Sequence, residues 1–123
     1  MEQHVIRGKR ILVVDDESSV RNAFRMILEI DEHTVTEANN GVEALDLFTK
    51  GKFDLVITDF EMPVMKGNDV ALRIKQLASS QPILMVTAYV EELADVENPV
   101  DSILNKPFTL DDLRRAIAKL LSN

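Results

Sequence analysis

Short apolar runs alternate with amphipathic stretches along the whole chain. Ile11-Leu12-Val13-Val14, Leu55-Val56-Ile57 and Ile83-Leu84-Met85-Val86 are rich in branched residues and bounded by polar ones. Runs of this kind suit strands covered on both faces of a parallel sheet. His33-Thr34-Val35-Thr36-Glu37 is more polar and alternates, as an outer strand does, and Ser102-Ile103-Leu104 is a short candidate for the second edge. Between these runs the apolar positions change period. Val20, Ala23, Phe24, Ile27 and Leu28 fall on one face of a helix. Ala44, Leu45 and Phe48 form a shorter stripe, entered through Asn39-Asn40-Gly41 and closed by Gly51 as a C′ residue. Val70, Ile74 and Leu77 predict a further helix, and Leu113, Ile117 and Leu120 a last one. That last helix opens on Thr109 and Asp112, which have the spacing of a capping box. The stretch between Thr87 and Ser102 predicts a helix over Glu91–Glu97, stopped by Pro99, and expected to be the least stable of the set.

Strand and helix thus alternate five times. Short connections and right-handed crossovers leave few topologies for such a series. The expected fold is α/β: a flavodoxin-like, doubly wound, five-stranded parallel sheet in the order 2-1-3-4-5, with five helices of which the fourth is short. The 123 residues make one domain (1–123), with residues 1–8 as a flexible lead-in. A hydrophobic content of 46% is enough for a packed core without staples. The chain has no cysteine, so disulfide frameworks and thiolate metal sites are excluded. No run approaches the roughly 18 apolar residues of a membrane span, and Met1-Glu2-Gln3-His4 lacks the apolar core of a signal peptide. A cytoplasmic protein with no membrane association is expected. The net charge of −7 argues against direct nucleic-acid binding, which needs cations to displace counterions from phosphates. The local cluster Arg7, Lys9 and Arg10 reads as a solvated lead-in to the first strand.

In a doubly wound sheet, ligands bind outside the carboxyl ends of the strands. The residues at those ends therefore carry the chemistry. They are Asp15, Asp16 and Glu17 after the first strand, Thr58 and Asp59 after the third, Thr87 after the fourth, and Asn105, Lys106 and Pro107 after the fifth. Each has an ordinary explanation alone: an acidic pair capping a helix, a loop aspartate, a buried hydroxyl, a solvated lysine. Their joint placement does not. Three carboxylates within ~5 Å of one another repel by roughly 3 kcal/mol per pair at an effective dielectric near 20. Lys106 offsets one charge and a divalent cation two. Carboxylate and carbonyl oxygens favour a hard ion such as Mg²⁺.

The motifs Val13-Val14-Asp15-Asp16-Glu17, Asp59-Phe60-Glu61-Met62-Pro63, Val86-Thr87-Ala88 and Lys106-Pro107-Phe108 resemble those of response regulator receiver domains, over Ile11 to Leu121. The resemblance implies a phosphoacceptor at Asp59. It implies Mg²⁺ bound by the side chains of Asp16 and Asp59, by the backbone carbonyl of Glu61, and by Asp15 through water. Thr87 and Lys106 are implied to bind the phosphoryl oxygens. It further implies that the chain catalyses only its own phosphorylation and dephosphorylation, that the donor is a sensor histidine kinase or a phosphotransfer protein, and that the output is a downstream protein partner or a fused domain. Glu61 and Tyr89, two residues beyond Asp59 and Thr87, are implied to stand at the mouth of the site and tune the phosphoryl lifetime.

Two departures from the family pattern stand out. Position 103, three before Lys106, holds Ile103 where an aromatic ring is usual. Either Ile103 stays inward and weakens the switch, or the switch runs through the loop after the fourth strand and its short helix; the second is preferred. The stretch from Thr87 to Lys106 is also short and carries Pro99, which points to an unusual output face. Gly67 fits the family, and Lys66 before it is read as solvated. Three other functions compete. A Mg²⁺-dependent phosphatase of the haloacid dehalogenase type needs Asp-x-Asp after the first strand, where this chain has Asp15-Asp16-Glu17. A scaffold that is never phosphorylated would not need all five site residues. A flavodoxin has a hydroxyl-rich loop where this chain has carboxylates.

Overall fold

The computed structural model describes residues 5–122. Its elements follow the predicted alternation: β1 (Arg10–Val14), α1 (Ser18–Ile30), β2 (Thr34–Ala38), α2 (Gly41–Lys50), β3 (Leu55–Thr58), α3 (Gly67–Leu77), β4 (Ile83–Thr87), a 3₁₀ helix (Val90–Asp95), β5 (Ser102–Asn105) and α4 (Leu110–Leu121). The strands form one parallel sheet in the order β2-β1-β3-β4-β5. The register aligns the C-terminal ends: Val14 faces Ala38 and Thr58, and Thr87 faces Asn105.

Successive side chains of a strand point to opposite faces, and the core divides accordingly. Ile11, Val13, Ile57, Leu84 and Val86 pack with Phe24 and Leu28 of α1 and Leu113 and Ile117 of α4. Leu12, Val14, Val56 and Ile83 pack with Ala44 of α2 and Val70 and Ile74 of α3. The three central runs are buried along their whole length, which is why they read as continuous apolar stretches. Of the expected lead-in, residues 1–4 lie outside the described residues, while Ile6 packs against the first cluster. The capping box of α4 is present, with the Thr109 side chain accepting from the Asp112 N–H and Asp112 accepting in return.

Several boundaries and contacts differ from expectation. The helix expected over Glu91–Glu97 is a single 3₁₀ segment that ends at Asp95. Val96 is already extended, and the Asn68 side chain draws the Glu97 carbonyl toward α3. Acidic Asp95 and Glu97 also oppose the negative end of a helix dipole. Gly51 ends α2 with an extended backbone instead of a left-handed cap. Leu77 lies on the solvent side of α3. His33 precedes β2 and is buried, its Nδ1 accepting the Lys9 N–H at 3.0 Å.

One long-range clamp closes the end of the domain away from the strand tips. Arg114 of α4 grips Asp31 with two hydrogen bonds, Nε–Oδ2 at 2.9 Å and Nη2–Oδ1 at 2.8 Å. The Asp31 carboxyl is held below the usual carboxylate range, chiefly by these bonds and against the cost of its burial. A lowered folded-state pKa contributes stability above the unfolded value, and that contribution fades as pH falls through the folded one. Arg114→Met is therefore expected to cost about 2–3 kcal/mol at neutral pH, because Asp31 is left buried with the exposed Arg7, at 3.8 Å, as its remaining ion pair. Urea unfolding in mild acid, below the ordinary carboxylate range, should show the gap between wild type and variant shrinking.

Candidate functional site

Asp15 and Asp16 follow β1, Asp59 follows β3, Thr87 closes β4, and Lys106 follows β5. Because the strands are parallel and in register, these residues meet at one edge of the sheet. Thr58, Thr87 and Asn105 are the last residues of their strands and do not lie beyond them. One carboxylate oxygen from each of Asp15, Asp16 and Asp59 lies within 4.8 Å of the other two. Lys106 Nζ stands 3.6 Å from Asp15 Oδ2 and 3.9 Å from Asp59 Oδ2.

The backbone fixes this cluster tightly. Asp15 and Asp59 continue the ladder, donating their N–H groups to Ala38 O and Val14 O, each at 3.1 Å. Asp15 Oδ1 accepts the Glu17 N–H at 3.0 Å, and Asp59 Oδ1 accepts the Phe60 N–H at 2.8 Å. The helix cap is Glu17, so the acidic pair is not serving as the N-cap of α1. Thr87 is fully buried, and its Oγ1 accepts the Tyr89 N–H at 3.1 Å, while its own proton can serve an acceptor in the pocket, where it helps hold down the Asp59 pKa.

Burial pushes the Asp59 carboxyl above its ordinary range; Lys106 pulls it down, and Asp15 adds to the rise. A hard dication suits this donor set: three acidic oxygens, open on the Asp16 side, with more negative charge than one lysine offsets.

A family model, response regulator receiver domain, matches residues 11–118. The chain belongs to the response regulator receiver domains. It is 37% identical over 115 residues to the response regulator MprA of Mycobacterium sp. (strain KMS), covering 91% of this chain and 50% of that protein. MprA of Mycobacterium leprae (strain TN) is 36% identical over the same length. The chain spans about half the length of the curated relatives it matches. Among solved structures, the response regulator TrrA of Thermotoga maritima, in complex with Mg²⁺ and BeF, is 38% identical with a TM-score of 0.87 over 92% of this chain and 99% of that one. TrrA in complex with the histidine kinase ThkA gives 39% identity and 0.85, over 93% and 99%. CheY4 of Vibrio cholerae gives 30% and 0.81, over 94% and 100%. No helix among the described residues of this receiver domain is long and apolar enough to cross a membrane.

The remaining sequence candidates of the receiver domain are surface residues. Glu61 and Tyr89 are exposed, and Ile103 is 40% exposed on the outer strand β5, so it does not sit inward. Lys66 is not simply solvated: its Nζ bonds Glu61 Oε1 at 2.6 Å and lies 5.2 Å from the Phe60 ring centroid. Arg21 gives no chemical signal in the sequence, and Gly67 stands out there only as fitting the family. Gly67 opens α3 directly against the Asp59 carbonyl, where a Cβ would collide with backbone. Arg21 of α1 donates from Nη1 to the Asp15 carbonyl at 2.7 Å. Val64, between the site and α3, holds a positive φ of 71°, an uncommon conformation for a β-branched residue.

Proposed function

We propose that this receiver domain accepts a phosphoryl group on Asp59 from a phosphohistidine, in a Mg²⁺-dependent reaction, and thereby changes the surface it offers to a partner. The observation that carries the reading is the convergence of Asp15, Asp16, Asp59 and Lys106 on one pocket. Asp15, Asp16 and Asp59, with the Glu61 carbonyl, would hold the ion. When bound it would offset the carboxylates' charge, so that an anionic donor can approach.

Asp59 is the nucleophile. Its carboxylate oxygen attacks phosphorus in line, the O–P bond forms as the N–P bond of the donor breaks, and the donor imidazole leaves with the electron pair. Lys106 supplies positive charge to the phosphoryl oxygens. Thr87 donates its hydroxyl proton to one of them while its oxygen still holds the Tyr89 N–H. Movement of Thr87 toward the phosphoryl group therefore pulls on Tyr89 and the 3₁₀ segment behind it. Because Ile103 lies outward, this loop is the route we assign to the switch. Water later hydrolyses the acyl phosphate, and the chain turns over no other substrate.

The similarity to TrrA, solved with a histidine kinase, supports a sensor kinase or phosphotransfer protein as donor. An apolar groove of about 490 Å³ beside Lys106, lined by Val20, Ile27 and Phe108 among others, is open to an approaching partner. The greater length of the curated relatives fits an output in a fused domain or a separate protein; this unit itself is proposed to act in the cytoplasm and, with a net charge of −7, to bind no nucleic acid.

Acetyl phosphate with Mg²⁺ tests the reading. A single label on Asp59, stable enough to detect and absent when the metal is chelated, is the expected result; steady turnover of small phosphate esters with no label would favour a phosphatase. The Lys66–Glu61 pair offers a second check. Lys66→Met releases the Glu61 carboxylate beside an anionic reaction, and labelling should slow about 2- to 5-fold, the range an exposed pair commands. Adding Glu61→Gln should restore the rate.

A further inference from the structure

We infer that Arg21 is a positioning residue for the acidic pocket: it locks the Asp15–Asp16 peptide plane and so sets the direction of both metal-binding carboxylates. The inference rests on the reading of that pocket as the Mg²⁺ site.

Asp16 is the reason such a lock is needed. Among the described residues its carboxylate has no side-chain hydrogen bond and no ion pair within 4.0 Å, so only its backbone can aim it. The peptide joining Asp15 to Asp16 carries the Asp15 carbonyl, and Arg21 Nη1 bonds that carbonyl at 2.7 Å. A charged donor to a buried carbonyl is stronger than a neutral one. The guanidinium is itself pinned. Its Nε meets Glu37 Oε1 at 3.0 Å, and the other Glu37 oxygen takes Arg25 Nε at 2.7 Å. Glu37 comes from β2, directly across from Val13 of β1. The lock thus runs from the edge strand, through the fixed fork of one arginine, to the turn that bears the two aspartates.

The charges also balance. A lone guanidinium this close to the pocket would repel a dication. Arg21 and Arg25 are matched by Glu37 and Glu29, and Arg25 holds the Glu37 carboxyl below its usual range, so Glu37 stays ionised. Arg21 therefore orients the carboxylates without adding net positive charge, and its own bond to Glu37 Oε1 does not depend on Arg25, which holds the other oxygen.

Metal sites depend on partners one layer out, whose loss typically weakens affinity about 10- to 100-fold. The test is calorimetric titration of Mg²⁺ into wild type, Arg21→Met, Arg21→Lys and Arg25→Met, with acetyl phosphate labelling followed against Mg²⁺ concentration. Arg25→Met is the control, since it removes a bond to the same Glu37 but touches neither aspartate. Arg21→Met should weaken Mg²⁺ binding about 10-fold or more. Its labelling rate should return to near wild type at saturating Mg²⁺. Arg25→Met should stay within about 2-fold of wild type in both. Arg21→Lys keeps the charge and the aliphatic stem and serves if Arg21→Met does not fold; it too should bind Mg²⁺ more weakly, because an ammonium on a flexible stem lacks the fixed fork that meets Asp15 O and Glu37 in set directions. Equal losses in the Arg21 and Arg25 variants, or none in the Arg21 variants, overturn the positioning role while leaving the pocket's function intact. Failure of wild type to bind Mg²⁺ removes the pocket reading and this inference with it.

Discussion

Asp59→Asn will abolish Mg²⁺-dependent labelling by acetyl phosphate and, with the metal chelated, will make the protein more stable than wild type. The first effect follows from chemistry: an amide cannot form the acyl phosphate. The second follows from the position of the carboxyl. Asp59 is mostly buried, and burial together with Asp15 raises its pKa despite Lys106. A carboxyl with a raised folded-state pKa binds its proton more readily in the folded chain than in the unfolded one. Stability therefore falls as pH rises from the ordinary carboxylate value through the folded one, and the penalty is fully present at neutral pH. Asparagine keeps an oxygen for the Phe60 N–H and removes the charge. A gain of about 1 kcal/mol, or about 3–5 °C in Tm, is expected. Mg²⁺ should raise the Tm of wild type, as any ligand of the folded state does, and leave the variant nearly unmoved. Thermal melts with chelator and with Mg²⁺ check both signs at once. A variant less stable than wild type in chelator would sink the account of a charge-crowded pocket.

Gly67→Ala is expected to be among the most damaging single substitutions outside the core. The Cβ it adds would run into the Asp59 carbonyl and close on Phe60 Cα. Neither neighbour is a side chain that can rotate away. The Asp59 N–H is tied to Val14 O, and the Gly67 N–H is tied to Phe60 O at 2.9 Å, so relief means shifting the β3–α3 loop as a unit. Overpacking against fixed backbone falls at the severe end of mutational effects, about 3–5 kcal/mol. Where the protein remains folded, displacement of Asp59 should slow labelling about 100-fold, as misplacement of a reacting group by about 1 Å can. Equilibrium unfolding measures the first effect, and labelling at low temperature with saturating Mg²⁺ the second.

Much of this protein was legible from the chain alone, for reasons that are local. Parallel strands covered on both faces require continuous apolar runs, so β1, β3 and β4 announced themselves, and residues at the ends of those runs were bound to reach one edge of the sheet. Asp15, Asp16, Asp59, Thr87 and Lys106 are therefore recognisable together as strand-end residues in the sequence. The less regular parts were harder to read. The segment before β5 was expected to hold a helix over Glu91–Glu97, yet it makes a 3₁₀ segment that ends at Asp95, and Asn68, on a distant helix, captures the Glu97 carbonyl. Lys66 looked like any surface lysine until Glu61 and Phe60 were placed around it.

Hydrophobic periodicity and strand-end chemistry are properties of neighbours along the chain, and they pointed to the fold class and to the residues at the strand tips; the strand order was expected from the flavodoxin-like topology that such an alternation allows. The tertiary structure alone decided what holds the acidic pocket in shape. Arg21, Glu37 and Asp15 come from three elements, Gly67 meets Asp59 across a loop, and Arg114 reaches Asp31 from the far end of the chain. No periodicity marks such contacts, because each depends on how close two separate backbones approach once the sheet and its helices have packed.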